Sequence, residues 1–122
     1  MSQLSARELS ALAQQAGYQV VSVEQLRANR WLVSLLTPQN ELIVALYQAR
    51  PLVGASDVLD MAELVRLRRA RRAYLIAYGG AFSPAAFRTL NELRGIAIEL
   101  VESLPAASTP TPTEPERGPA GG

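Results

Sequence analysis

Apolar residues recur at helical spacing in three stretches of this chain and at strand spacing in five. Ser5 and Glu8 stand three apart as in a capping box, and Leu9, Leu12, Ala13 and Ala16 follow on one face until Gly17. That spacing predicts a first helix from about Ala6 to Ala16. Tyr18–Val23 reads as a short strand. Arg30–Thr37 reads as a second one, ending at Pro38, and Gln39-Asn40 turns into a third over Glu41–Ala49, so the last two should form a hairpin. Ser56 is placed to cap a helix with Asp57 in its first turn and Val58, Met61, Ala62, Leu64 and Val65 inward. Ala73–Tyr78 is a nearly unbroken apolar run before Gly79-Gly80, the signature of a strand covered on both faces. Ser83-Pro84 supplies an N-cap and a first-turn proline for a helix carrying Ala86, Phe87, Leu90 and Leu93 inward, and Ile96–Val101 is the last strand.

The resulting order, α-β-β-β-α-β-α-β, predicts a three-layer α/β sandwich around a mixed central sheet. Residues 1–103 make one domain. From Leu104 to Gly122 the chain is rich in Pro, Thr and Gly with almost nothing to bury, and reads as a disordered tail.

Composition narrows the chemistry. The 122 residues contain no Lys, His or Cys, so disulfides and thiolate metal sites are excluded and acid–base work falls to Asp, Glu, Tyr and Ser. All twelve basic residues are arginine, which holds anions but cannot trade a proton. A GC-rich coding sequence is the simplest source of that bias. No cofactor is expected, the chain is better equipped to bind than to react, and it is read as a non-enzyme. No run long enough to span a membrane occurs, and the N-terminus lacks a secretory pattern, so a cytoplasmic protein without membrane contact is expected. Setting aside Glu114, Glu116 and Arg117 leaves 11 arginines against 9 acids over residues 1–103, a balance of +2. Only a local cluster could therefore steer a charged partner.

One such cluster is obvious: Arg66, Arg68, Arg69, Arg71 and Arg72 lie within seven residues at a helix end, where the macrodipole favours cations. It is the candidate nucleic-acid surface. Solvated surface, or internal pairing along the Asp60, Glu63, Arg66 row, is the competing account. Glu41, Asp57 and Asp60 offer oxygen ligands without a recognisable metal spacing, so no metal site is expected. Gly79-Gly80 ahead of Ser83 satisfies a strand-to-helix turn without matching a phosphate-binding fingerprint. Trp31, Tyr47, Tyr74 and Tyr78 alternate onto sheet faces and are expected in the core.

The combination of a helix ending in Gly17-Tyr18, a hairpin, Val53-Gly54 leading into a helix, a buried strand closed by glycines and a Phe82-Ser-Pro-Ala-Ala segment resembles the Mrr-like branch of the restriction-endonuclease-like superfamily over roughly residues 5–102. The resemblance implies catalysis by an Asp on the second strand and a Glu or Gln, one spacer and a Lys on the third, around a divalent metal. Aligned through Val53-Gly54, the last two positions fall on Ala45 and Tyr47; shifted by three residues they fall on Gln48 and Arg50. Neither alignment supplies the second-strand aspartate. The resemblance therefore implies a nuclease fold without its nuclease site, serving as a binding or assembly module in DNA handling. Two alternatives stand beside it: a protein–protein scaffold or homodimer with no nucleic-acid role, and an active nuclease with a rearranged metal site.

Overall fold

A computed structural model describes residues 4–107. The chain runs α1 (Ala6–Gln15), β1 (Gln19–Arg27), β2 (Arg30–Leu36), β3 (Leu42–Gln48), β4 (Leu52–Val53), α2 (Ala55–Arg68), β5 (Arg72–Ala77), β6 (Ala81–Phe82), α3 (Pro84–Glu92) and β7 (Ile98–Val101). The predicted order holds, with two additions: β4 and β6 are two-residue strands that pair in parallel outside the main sheet.

The main sheet has the order β1-β2-β3-β5-β7. β1, β2 and β3 are antiparallel neighbours, whereas β3, β5 and β7 run parallel. β3 and β5 are buried almost throughout because they are central and covered on both faces. On one face Leu32, Val44, Leu46 and Leu75 pack under α2 and α3 with Val58, Met61 and Ala86. On the other, Val33, Leu35, Ile43, Tyr47, Tyr74 and Ile76 meet Leu9 and Ala13 of α1. Alternation along β2 and β3 thus sends successive side chains to different layers.

The local signals mostly act as written. Ser5 Oγ accepts from Glu8 N–H, and Ser83 Oγ accepts from Ala86 N–H behind Pro84. Thr37 Oγ1 accepts from the Gln39 and Glu41 N–H groups while Asn40 takes the left-handed conformation at φ 65°, closing the β2–β3 hairpin.

Five expectations change. β1 extends to Arg27, longer than the predicted strand, and turns at Ala28-Asn29 into β2; irregular register between Gln25 and Arg27 spoils the alternation that would have revealed it. Gly54, not Ser56, is the N-cap of α2, because the Asp57 carboxylate accepts from the Gly54 N–H and closes the first turn from inside. Phe87 is half exposed, packed edge-on against Phe82 with ring centroids 5.9 Å apart at the layer's margin. The last strand starts at Ile98, after Gly95 has turned the chain at φ 72°. Finally, the folded unit continues past residue 103. Leu104 and Ala107 pack on the α1-side core, Pro105 C=O accepts from the Tyr18 hydroxyl at 2.9 Å, and Ala107 N–H donates to Ala16 C=O at 2.7 Å. The rest of the expected tail, 108–122, lies outside the described residues. No described helix is long and apolar enough to cross a membrane.

Gly80 is required by close approach. A Cβ there would collide with the Arg50 carbonyl oxygen and come within 2.8 Å of that of Pro51. This contact presses the β5–β6 turn against the β3–β4 connection, the edge where the polar residues gather.

Candidate functional site at the carboxyl ends of the parallel strands

β2 starts, β1 and β3 end, and α2 begins at one edge of the sandwich. The cross-strand register puts Arg30 opposite Gln48, and both side chains lie on the α2 side of the sheet. There they meet Asp57, whose side chain is 1 % exposed. Its Oδ1 accepts from Arg30 at 3.0 Å and from Gln48 Nε2 at 2.7 Å, while its Oδ2 accepts from Arg50 at 2.6 Å and from the Gly54 N–H at 2.8 Å. Arg30 also reaches Asp60 at 3.0 Å, one turn further along α2.

A carboxylate has about four lone-pair sites, so four donors saturate Asp57. Two of those donors are permanently cationic, which offsets the cost of keeping a buried anion away from water. Arg30 Nε is itself buried with no hydrogen-bond partner among the described residues, a cost of about 1–3 kcal/mol that the two ion pairs of this guanidinium must outweigh.

The donor set does not fit a divalent metal. To ligate one, Asp57 would have to give up Arg30 and Arg50, and like charge would then face the metal. Among the described residues no three acidic, His or Cys side chains converge on a common point. Glu41 stands at the opposite end of β3 from Gln48, with its backbone in the hairpin turn, so it cannot join Asp57 and Asp60 in a shared site. Tyr47, one of the two residues of the first alignment, lies with Ala45 in the α1-side core. Burial pushes the Tyr47 hydroxyl up to about 12, so it stays protonated near neutrality.

Two hollows open beside the ion-pair cluster. One of about 220 Å³ is lined by Arg27, Arg30, Gln48 and Arg50 against the Ala28-Asn29 turn. The other, of about 500 Å³, lies across that turn and is walled by Gln25, Trp31, Tyr78 and Gly79. Trp31 and Tyr78 are accordingly only partly buried, whereas Tyr47 and Tyr74 belong to the core as expected.

The arginine run lies elsewhere. It occupies the far end of α2, a helix of 14 residues and hence about 20 Å long. Arg68 makes a two-pronged contact to Glu24 of β1 at 2.9 and 3.1 Å. Arg72 is held in its charged form by Tyr74, with Glu41 and Glu99 adding to the effect. Asp60 of the Asp60, Glu63, Arg66 row goes to Arg30 across the layer. Arg66, Arg69 and Arg71 are exposed, and Arg69 is the helix C-cap at φ 54°. Gly79-Gly80 and Ser83 serve the turn and the helix cap, Gly80 by close approach and Ser83 by accepting from Ala86 N–H.

An apo-form structure of EndoMS is similar to this chain with a TM-score of 0.59 and 16% sequence identity, over 88% of this chain and 49% of that one. The fold is restriction-endonuclease-like. At that identity the likeness concerns the fold alone, and this chain spans about half the length of the protein it matches. No protein-family model and no curated protein matches the sequence.

Within that fold, sequence reasoning singled out Gln48 and Arg50 but passed over Arg30 and over Asp57 as their common partner. A signal was present. Arg30 opens the otherwise apolar run Trp31-Leu-Val, and Asp57 sits in the first turn of a helix whose buried stripe it continues.

Proposed function

We infer that this domain is a non-cleaving binding module of the restriction-endonuclease-like superfamily, nearest in its motifs to the Mrr-like branch and working in a DNA-handling setting. The observation that carries the reading is the saturated Asp57. At the positions that the shifted alignment gives to the Gln-x-Lys pair, the chain has Gln48-x-Arg50 closed onto a buried carboxylate together with Arg30. Arginine cannot deprotonate near neutrality to activate water, and a carboxylate with four donors has no lone pair left for Mg²⁺. The cluster therefore acts as a structural clamp between β2, β3 and α2, and it leaves cationic surface at the cleft rim.

The test is incubation of the full chain with supercoiled, linear and single-stranded DNA in Mg²⁺ or Mn²⁺, products resolved on a gel, alongside calorimetric titration with Mn²⁺. Intact DNA and no metal-binding heat are expected. Nicking or cutting that chelation abolishes would overturn the reading in favour of a rearranged active site.

A further inference from the structure

The two hollows flanking the Ala28-Asn29 turn have complementary chemistry. The smaller is walled by three guanidinium-bearing side chains, of which Arg27 is exposed and makes no ion pair among the described residues. Arg50 spends one nitrogen on Asp57 while 43 % of its side chain remains exposed, so it keeps donors for a second anion. The larger has two aromatic walls, Trp31 and Tyr78, with the Gln25 amide at its rim. Gln25 donates weakly to Ala28 C=O at 3.4 Å, which leaves its amide oxygen to accept from a ligand. Its volume of about 500 Å³ lies within the range of roughly 300–1,000 Å³ for small-molecule sites. The smaller opens at the carboxyl end of β3 and the larger at those of β3 and β5, the edge where α/β sheets bind ligands.

A cation-lined hollow beside an aromatic one, separated by a two-residue turn, matches a ligand that is anionic at one end and flat and aromatic at the other. We propose that this cleft binds an unpaired nucleotide, its phosphate against Arg27, Arg30 and Arg50 and its base in the Trp31–Tyr78 hollow. The inference rests on the nucleic-acid part of the function proposed above and narrows it to single strands. Bases inside a duplex are already stacked and cannot enter a concave hollow, whereas a single strand presents free faces for aromatic stacking. The arginines at the far end of α2 take no part, since none of them lines either hollow.

Trp31 is the only tryptophan in the chain, so its emission reports on this hollow alone. With the full chain at low salt, a twelve-residue oligothymidylate should quench Trp31 at micromolar concentration, and a blunt duplex should bind at least about tenfold more weakly and without quenching. Arg27→Ala and Arg50→Ala should each weaken single-strand binding and reduce the salt slope by about 0.7. Arg66→Ala with Arg71→Ala should change neither. Trp31→Ala should weaken binding of a labelled strand by about tenfold or more, and Trp31→Phe, which keeps an aromatic face, by less.

Thymidine monophosphate separates the two sources of the ligand. Quenching by the monophosphate at the oligomer's concentration assigns a free nucleotide, and much weaker quenching assigns a strand. Duplex binding as tight as single-strand binding, or dependence on Arg66 and Arg71 instead of Arg27 and Arg50, overturns the proposal. Its failure is distinct from failure of the non-cleaving reading. The first is read in Trp31 emission and strand preference, the second in cut products on a gel.

Discussion

Two sets of arginines occupy the two ends of α2, and they differ in nearly every physical respect. Arg66, Arg68, Arg69, Arg71 and Arg72 are adjacent in sequence and spread out in space, over the helix end, the following turn and the first residue of β5. Arg30 and Arg50 are twenty residues apart in sequence and meet at one buried carboxylate. The dense run looks like a site when only the chain is read, because charge per residue is all that a linear reading can count. The dispersed pair is the organised one. Its members are fixed by strand register and by a helix start, and low local dielectric strengthens their contact with Asp57.

The contrast breaks most sharply at Asp57. Asp57→Ala strips the buried Gln48 amide, the Gly54 N–H and the largely buried Arg30 of their shared acceptor, and removing one partner of a buried ion pair costs about 3–5 kcal/mol. The expected result is a drop of that size in urea-unfolding free energy, with part of it recovered when Arg30→Met is added to the same variant, since the uncompensated buried charge is then gone. If Asp57→Ala proves neutral, the cluster does not clamp the fold.

At the other end of the helix the effects are smaller. Arg69 holds a left-handed conformation that glycine adopts freely, so Arg69→Gly should raise stability by about 1 kcal/mol, visible as a higher thermal midpoint. A loss instead would mean that the Arg69 side chain is engaged.

The smallest effect belongs to the Glu24–Arg68 pair, both members of which are more than a third exposed. Its hydrogen bonds to Arg68 hold the Glu24 carboxyl below the usual carboxylate range. A depressed folded-state pKa adds stability that is present above the ordinary value near 4.5 and is lost as the pH falls through the folded value. At neutral pH, Glu24→Gln should therefore cost only about 0.2–1 kcal/mol, most of it screened by salt, and the parent and the variant should converge in acid. A cost comparable to that of Asp57→Ala would erase the difference between the two arginine sets.

The sequence by itself determined the layers. Helical spacing in α1 and α3, the unbroken apolar run of β5, the capping residues Ser5 and Ser83 and the Thr37–Glu41 hairpin turn are short-range effects, each decided within a few residues. The stripe Val58, Met61, Ala62 and Val65 was legible for the same reason. Other features required the fold. That Ser56 is not the cap depends on Asp57 being drawn inward by Arg30 of β2 and Arg50 of the β3–β4 connection. That Gly80 admits no side chain depends on the Arg50 and Pro51 carbonyls arriving from a different connection. The choice between Ala45 with Tyr47 and Gln48 with Arg50 is one of strand face. The tertiary structure buries the first pair under α1 and brings the second to Asp57, because a residue's layer is set by register against β2 and β5 and not by its neighbours in the chain.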